Sequence, residues 1–172
     1  GQVYMCREDL KVEVSGKLSP LHVFYDWGAS VTMITHKSAR AAGLTPIRQA
    51  ARQVMGLGDT GVESTCYYLA PMADATGKLQ VVKAIGVSNI ARMPRTRPLE
   101  DLPGMFRGMA GRKISAETRE CAVDMLIGLD NSRWMPTPGP APISSDLNLR
   151  LVKSPLSGAY IAMGQTEERS GE

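Results

Sequence analysis

The chain has 172 residues, of which 43% are hydrophobic and 22% are charged. This length and mixture fit one globular domain with its own core better than two domains. The net charge of +3 is dispersed, and the sequence lacks the basic stripe with interleaved aromatic residues that is typical of nucleic-acid-binding surfaces. No apolar run approaches the roughly 18 residues that a membrane-spanning helix needs, so we predict no nucleic-acid partner and no membrane partner.

The cysteines and histidines are too few and too widely spaced for a metal centre. They are Cys6, Cys66, Cys121, His22 and His36. A structural zinc site takes four ligands, some of them close in sequence, and three isolated cysteines do not make a disulfide framework. The sequence therefore predicts no metal, no cofactor and a reducing compartment. The first residues also lack the basic and apolar regions of a secretory signal.

The chain begins with a pattern that is typical of a β-hairpin. Residues 10–14 alternate between apolar and polar side chains, the period of a half-buried strand. Residues 15–20 contain turn-forming side chains, and the apolar segment 21–25 predicts a second strand. This hairpin would place Asp26 directly at the end of a strand.

Strand and helix signals follow Asp26. Residues 31–34 predict a strand, and Thr35 is suited to cap a short helix over 36–42 that Gly43 would end.

A second hairpin is predicted over residues 47–69, with a glycine-rich tip at 55–61. Gly77 and Lys78 mark a further turn, and the next strand is predicted over 79–87.

The second half of the chain is irregular at first and then rich in strands. Residues 91–113 are rich in Pro, Gly, Arg and Met, and Ser115 starts a predicted helix that ends near Cys121. An apolar strand is predicted over 123–129, followed by a helical turn over 130–134.

The last part of the chain predicts one stiff segment and two strands. Residues 136–142 carry four prolines and are expected to be extended. Alternating leucines at 147–151 and the apolar run 159–163 predict the two final strands.

Asp26, Gly28 and Ala29 have the residue types that hydrolysis by paired carboxylates requires. Two carboxylates about 3 Å apart cannot both ionise, so one stays protonated and the other accepts a proton from a water between them. Such a site needs a carboxylate at a strand end, and then a glycine and a small residue where two backbones approach closely. The same residues also suit an ordinary turn, so the order of the surrounding elements has to distinguish the two.

That order resembles the retropepsin-like aspartic proteases, most closely those of BEL/Pao long-terminal-repeat retrotransposons. The matching stretches are FYDWGASVTMIT (24–35), VMGLG (54–58), VDMLIGLDN (123–131) and the ending from Asn148 to Tyr160. The likeness covers most of residues 8–164. It implies a single domain over 1–164 with a family-variable insertion at 88–120, and we expect residues 165–172 to form a flexible tail.

The resemblance implies a mainly β fold, a closed β-barrel of the retropepsin or acid-protease type with short helices. The chain would be one protomer of a two-fold homodimer in which each subunit contributes one catalytic aspartate, here Asp26. The implied activity is that of an aspartic endopeptidase that cleaves a retroelement polyprotein. The expected location is the cytoplasm or the interior of a virus-like particle.

The resemblance also implies roles for the residues around Asp26. Those expected to contact the substrate are Trp27, Gly28, Ala29, Met55, Gly56, Leu57 and Gly58, of which the last four belong to a flap expected over residues 54–61. Those expected to support the catalytic loop from behind are Leu126, Ile127 and Gly128. Asp130 is expected to cap the helical turn that follows rather than to take part in catalysis. Without the family argument, the glycines of 56–58 suit a plain hairpin turn equally well.

Trp27 departs from the family pattern, which places Thr or Ser after the catalytic aspartate. The usual hydroxyl accepts a hydrogen bond from the partner's backbone, whereas an indole is a donor only and is much larger. Three hypotheses remain open: an active enzyme with a different dimer contact, a weak acid-shifted protease that dimerises poorly, and a catalytically inactive dimerisation or binding module. An unrelated β-barrel binding domain is a further alternative.

Three other titratable residues are further candidates for catalysis. Asp124 lies inside the predicted strand 123–129, where a capped or edge-exposed carboxylate is the expected role. His22 is expected on one face of a strand, and His36 at the exposed start of the short helix. Neither histidine has an identifiable serine or cysteine partner, so no nucleophilic triad is predicted.

Overall fold

The computed structural model of the chain describes residues 1–55 and 61–166, without the side chains of residues 55, 61 and 62. Of the described residues, 47% lie in strands and 9% in helices, so the predicted mainly β class is confirmed. No helix in this part of the chain is both long and apolar enough to cross a membrane.

The described strands follow one another with few helices between them. In the first half they are β1 (Val3–Tyr4), β2 (Arg7–Val14), β3 (Lys17–Tyr25), β4 (Met33–Thr35), β5 (Ile47–Met55), β6 (Gly61–Ala73) and β7 (Leu79–Val87). In the second half they are β8 (Arg92–Met93), β9 (Ile114–Ser115), β10 (Cys121–Ala122), β11 (Met125–Ile127), β12 (Thr137–Pro138), β13 (Leu149–Lys153) and β14 (Tyr160–Gln165). The α-helix α1 (His36–Ala41) and two 3-10 helices, Pro103–Met105 and Leu129–Trp134, lie between them.

Six strands form a closed barrel in the order β2-β3-β11-β4-β7-β6. The ring closes where Val12 of β2 pairs with Met72 of β6, and β5 adds to the outer edge of β6. The fully buried side chains inside the barrel alternate along their strands, as the period of two requires. They include Val12, Val23, Ile34, Ala70, Met72, Val82, Met125 and Ile127.

The first hairpin turns more tightly than predicted. Ser15 and Gly16 both have positive φ angles, 51° and 78°, as a two-residue primed turn requires, and Val14 pairs directly with Lys17. Strand β3 therefore starts before residue 21. Pro20 is tolerated inside it because β11 pairs with β3 only from Val23 onward, which leaves β3 as an edge at Pro20.

The prediction for the short helix after Asp26 is confirmed. Thr35 is the N-cap of α1, and its side chain accepts a hydrogen bond from the backbone of Ser38. Gly43, with φ +83°, follows the helix in the left-handed conformation.

The second hairpin and the strand after it are also confirmed. Strands β5 and β6 pair antiparallel from Ile47 opposite Tyr67 to Met55 opposite Gly61. The tip at 56–60 lies outside the described residues. Strand β7 has the predicted bounds, Leu79–Val87.

The turn between β6 and β7 is organised by the carboxylate of Asp74. This carboxylate accepts hydrogen bonds from the side chains of Thr76 and Gln80 and from the backbone N–H groups of Thr76 and Lys78. The hydrogen bonds from Gln80 and Thr76 lower the pKa of Asp74 to about 2. The ionised carboxylate therefore stabilises the fold above the ordinary aspartate pKa of about 3.9, and this contribution is lost as the pH falls toward 2.

We expect Asp74→Ala to lower the denaturant midpoint of unfolding at neutral pH. Because the wild-type protein itself loses the contribution in acid, the difference between the two proteins should narrow as the pH falls from about 5 to about 2. Urea titrations across this range test the prediction, with the exposed Asp146→Ala as a control. A difference that stays constant over the range would contradict it.

The predicted helix from Ser115 to near Cys121 is wrong. Ile114 and Ser115 instead form the short strand β9, which pairs in parallel with Tyr160 and Ile161 of β14. The backbone N–H of Thr96 donates to the carbonyl of Thr118, 2.9 Å away, so the segment that follows is also held extended by a distant part of the chain. Tertiary pairing overrides the local helix signal here.

A second sheet lies beside the barrel and contains both ends of the described chain. Its strands run in the order β1-β14-β13-β12, with β9 also paired to β14. Gln165 still pairs with Val3, and the backbone N–H of Thr166 donates to the carbonyl of Gln2 at 2.9 Å. The predicted flexible tail began at 165; its residues 167–172 lie outside the described part of the chain.

Candidate active site

Asp26 lies at the end of β3, as predicted, and is half-buried. Its backbone N–H donates to the carbonyl of Ile127 at 3.0 Å, which fixes the start of the loop against β11. The turn after it is tight, because Ala29 N–H donates to the Asp26 carbonyl at 3.2 Å.

The Asp26 carboxylate has one engaged and one available oxygen. Oδ1 accepts a hydrogen bond from Gly28 N–H at 2.8 Å. A Cβ on Gly28 would lie 3.2 Å from this oxygen, so a larger residue would crowd it. Among the described residues, the other oxygen, Oδ2, has no hydrogen-bond partner. The structure thus brings Asp26, Gly28 and Ala29 together as one unit.

Strand β11 lies between the two strands that flank the Asp26 loop. It pairs in parallel with β3, where Ile127 lies opposite Tyr25, and antiparallel with β4, where Leu126 lies opposite Met33. Leu126 and Ile127 are fully buried. Leu126 shares a hydrophobic cluster with Ala29 and Val31 of the loop, whereas Ile127 projects to the opposite face of the strand, into the main core.

Gly128 directly follows β11, at the point where the Asp26 loop passes over the end of this strand. A Cβ on Gly128 would lie 2.7 Å from the carbonyl oxygen of Ala29 and 2.8 Å from that of Val31. Its φ of −111° is open to any residue, so this glycine is needed for space rather than for backbone freedom. Leu129 N–H donates to the Ala29 carbonyl at 2.9 Å, and this hydrogen bond joins the loop to the segment that follows β11.

The expected helix-capping role of Asp130 is wrong. The cap position of the 3-10 helix Leu129–Trp134 is Gly128, and no side chain caps it. The Asp130 carboxylate instead accepts hydrogen bonds from the hydroxyl and the backbone N–H of Thr32, at 2.6 and 3.1 Å. Thr32 was not predicted as a functional residue, although its hydroxyl within the otherwise apolar stretch 31–34 is a signal for a buried polar contact.

Trp27 projects from the same turn and is 39% exposed. It lines a groove of about 710 Å³ whose other walls come from the proline-containing segment 136–142, β13 and β14. Prominent lining residues are Pro136, Pro138, Leu149, Leu151 and Met163. The indole of the residue that directly follows Asp26 therefore presents apolar surface to this groove.

The hairpin β5–β6 shares a hydrophobic cluster with the Asp26 loop. Val54, near the end of β5, is buried with Phe24, Met33 and Leu126, and Ala29 packs against the same cluster. Of the predicted flap residues, Met55 ends β5 but its side chain lies outside the described set. Gly56, Leu57 and Gly58 lie in the stretch 56–60 that the structure does not describe.

The sequence contains a second Asp-x-Gly at the tip of this hairpin. It is Asp59-Thr60-Gly61, and the first two of these residues also lie outside the described part of the chain.

The side chains of Asp124, His22 and His36 each have different hydrogen-bond partners. The Asp124 carboxylate accepts hydrogen bonds from Ser38 Oγ at 2.6 Å and from the backbone N–H of His22 at 2.7 Å, in line with the expected capped carboxylate. His36 Nδ1 lies 2.9 Å from the hydroxyl of Tyr68. Burial, with the nearby charge of Arg40, lowers the pKa of His36.

His22 is almost fully buried, with its two ring nitrogens engaged by different groups. Nδ1 lies 2.8 Å from Asp9, and Nε2 lies 3.1 Å from a guanidinium nitrogen of Arg7. Since an arginine only donates, Nε2 accepts and Nδ1 donates to the Asp9 carboxylate.

Asp9, His22 and Glu117 form the only group of potential metal ligands found among the described residues, with ligand atoms within 4.8 Å of one another. Arg119 Nη2 donates to both oxygens of Asp9 at 3.1 Å, and Arg7 contacts His22. Burial acts to raise the pKa of Asp9, but hydrogen bonds from His22 and Arg119 outweigh it and hold this pKa below its usual value. Asp9 and His22 are thus already contacted by two guanidinium groups, which disfavours binding of a further cation.

The protein is a small closed barrel in which a tight loop carries the half-buried carboxylate of Asp26. The barrel strand β11 lies between the two strands that this loop connects. No protein-family model matches the chain, and a search of curated proteins finds no relative. Assignment of an activity therefore depends on the chemistry of this loop and on the order of the motifs.

Proposed function

We propose that this chain is one protomer of a homodimeric aspartic endopeptidase of the retropepsin type, with Asp26 as its catalytic carboxylate. The observation that carries the proposal is the geometry of the Asp26 turn. Oδ1 is fixed by Gly28 N–H at 2.8 Å, and Oδ2 has no partner among the described residues. Hydrolysis by paired carboxylates needs a second acidic group near Asp26, and we propose that the same loop of a second copy supplies it.

The proposed mechanism requires the two Asp26 carboxylates to share one proton. At about 3 Å they cannot both be ionised, so one acts as a base toward the attacking water while the other donates to the carbonyl oxygen of the substrate. The pair then titrates as a unit. Neither a metal nor an organic cofactor takes part in this chemistry.

The proposed substrate is an extended peptide segment of a polyprotein. The described part of the hairpin β5–β6 shares a hydrophobic cluster with the loop through Val54, so a peptide bound at Asp26 would lie close to the end of β5. Assignment to the BEL/Pao retrotransposon type, and thus to the cytoplasm or a virus-like particle, is supported by the order of the sequence motifs alone.

Peptide cleavage with inhibition by a statine-type peptide tests this function. The statine hydroxyl mimics the tetrahedral intermediate and binds only to a working pair of carboxylates. We expect the purified chain to cleave a peptide mixture in mildly acidic buffer and the inhibitor to block it. Cleavage that is insensitive to the inhibitor would place the activity elsewhere.

The second candidate function is a catalytically weak or inactive dimerisation or binding module derived from a retroelement. The exposed indole of Trp27 favours it, because the hydroxyl that would bond the partner's backbone is absent. The available carboxylate of Asp26 favours the enzyme.

Replacement of Trp27 by Thr should strengthen dimerisation and raise peptidase activity. A hydroxyl at this position can form two symmetry-related hydrogen bonds at about 1 kcal/mol each, or roughly ten- to a hundredfold in the dimer dissociation constant. Sedimentation equilibrium and peptide cleavage measure both effects.

Trp27→Phe is the matched control, since it keeps an aromatic ring and adds no hydroxyl. It should give no gain in affinity or rate. If Trp27→Thr dimerises and cleaves no better than Trp27→Phe, the proposed dimer contact is wrong.

A further inference from the structure

Thr32 is the most completely engaged polar side chain of the Asp26 loop. It is fully buried, and its hydroxyl donates to Asp130 Oδ1 at 2.6 Å. The hydroxyl oxygen of Thr32 also accepts hydrogen bonds from Asn131 Nδ2 at 2.8 Å and from the backbone N–H of Gly128 at 3.1 Å. One donated and two accepted bonds saturate a hydroxyl, so the Thr32 side chain has a single allowed orientation.

The backbone of Thr32 is held by neighbours on both sides. Its N–H donates to Asp130 Oδ2 at 3.1 Å, and its carbonyl accepts from Ile85 N–H at 3.0 Å. Asn131 Nδ2 also donates to the carbonyl of Lys83 at 3.1 Å. The second half of the loop is thereby bound to the 3-10 helix Leu129–Trp134 and to β7 together.

The first half of the loop is bound to the same short stretch of chain. Asp26 N–H donates to Ile127, and Leu129 N–H donates to Ala29. The segment 127–131 therefore contacts the loop at Asp26, Ala29 and Thr32. With Thr32 fixed, the position of the Asp26 turn relative to β11 is fixed as well.

We infer that Thr32 and Asp130 are positioning residues for Asp26: their hydrogen bonds hold the loop in the one placement that aims the carboxylate. The inference rests on the proposed peptidase function. Asp130 is exposed, so Asp130→Asn should lower global stability less than Thr32→Val, which leaves the buried backbone N–H of Gly128 without its acceptor. A loss of loop order that exceeds the loss of stability separates positioning from a general structural role.

Thr32→Val tests the inference, because valine keeps the shape and removes the hydroxyl. We expect kcat to fall about ten- to a hundredfold, since a displacement of about 1 Å can cost about a hundredfold in rate. KM should change less than threefold, which corresponds to a free-energy difference of about 0.65 kcal/mol. Thr32→Ser restores the hydroxyl and should recover most of kcat.

Thr96→Val is the matched control for this substitution. Thr96 is also buried, but its hydroxyl has no hydrogen-bond partner within the described part of the chain. This variant should keep the wild-type kcat and the wild-type stability or better. It accounts for any general effect of exchanging a buried threonine for valine.

Trp27 offers a readout that does not depend on activity. The chain has two tryptophans, so a Trp134→Phe background leaves Trp27 as the only one. We expect acrylamide quenching of Trp27 fluorescence to increase in Thr32→Val and in Asp130→Asn, and to stay unchanged in Thr96→Val. If Thr32→Val fails to fold, Asp130→Asn, which lies at an exposed position, provides the test in its place.

The outcomes separate this inference from the proposed function. If the wild type does not cleave peptides, the peptidase proposal fails, and quenching alone decides whether Thr32 and Asp130 order the loop. If the folded Thr32→Val or Asp130→Asn matches Thr96→Val in kcat and in quenching, the inference is overturned. It is also overturned if the loss of kcat only follows the loss of folded protein.

Discussion

Asp26→Asn should lower the rate of peptide cleavage by at least about a hundredfold and toward ten-thousandfold, the range that a catalytic proton-transfer group contributes. Asparagine cannot take the proton from the attacking water. Its Oδ1 can still accept the hydrogen bond that Gly28 N–H gives to Asp26 at 2.8 Å, so the fold should be retained. The free energy of unfolding should change by less than about 0.5 kcal/mol.

The control for Asp26→Asn is Asp124→Asn. Asp124 is also half-buried, but its carboxylate is occupied by Ser38 and the backbone of His22. We expect this variant to lose some stability and to keep its kcat. Asp59→Asn examines the other Asp-x-Gly of the sequence. If Asp59→Asn abolishes cleavage while Asp26→Asn retains it, the catalytic assignment is wrong.

Gly128→Ala should be the most destabilising single substitution at the site, at roughly 3 kcal/mol, the upper part of the range for overpacking a tight core. The added methyl group would lie 2.7 and 2.8 Å from two backbone carbonyl oxygens. Neither oxygen can rotate away, because both belong to the loop that crosses β11. The loop must therefore lift, and cleavage should fall by about a hundredfold for a shift of about 1 Å.

Gly108→Ala separates crowding from backbone strain. Gly108 has a positive φ of +70° with no atom within 4 Å of an added Cβ, so alanine there should cost about 1 kcal/mol from conformation alone and leave cleavage unchanged. Chemical denaturation and cleavage assays on both variants give the comparison. Equal losses of stability in the two variants, with full activity in Gly128→Ala, would show that the crossing at Gly128 is not tight.

Local signals in the sequence were sufficient for the elements that local forces determine. Thr35 capped α1 as predicted, and strand β7 had its predicted bounds, because capping and alternation act over a few residues. The strand end that delivers Asp26 was predicted for the same reason.

Two features that depend on distant contacts were not predicted correctly. The helix expected after Ser115 is absent because Ile114 and Ser115 pair with β14. Asp130 was expected to cap a helix, whereas it binds Thr32, 98 residues away in the sequence. The local sequence does not indicate which distant loop will contact a given carboxylate. The contact of Thr32 with Asp130 is therefore visible only in the folded structure.

Trp27 determines which of the two proposed functions applies. A catalytic pair requires the two loops to meet, and an exposed indole at the meeting point must pack against something other than a partner's backbone N–H. The groove of about 710 Å³ beside it offers apolar surface from Pro136 and Pro138.

The distance between the Asp26 carboxylates of two neighbouring copies, measured in a crystal of the chain with a bound statine-type peptide, tests the central claim most directly. We predict a two-fold dimer with these carboxylates about 3 Å apart, as a shared proton requires. A monomer in the crystal and in solution, with Asp26 facing solvent alone, would contradict the assignment of this chain as an aspartic endopeptidase.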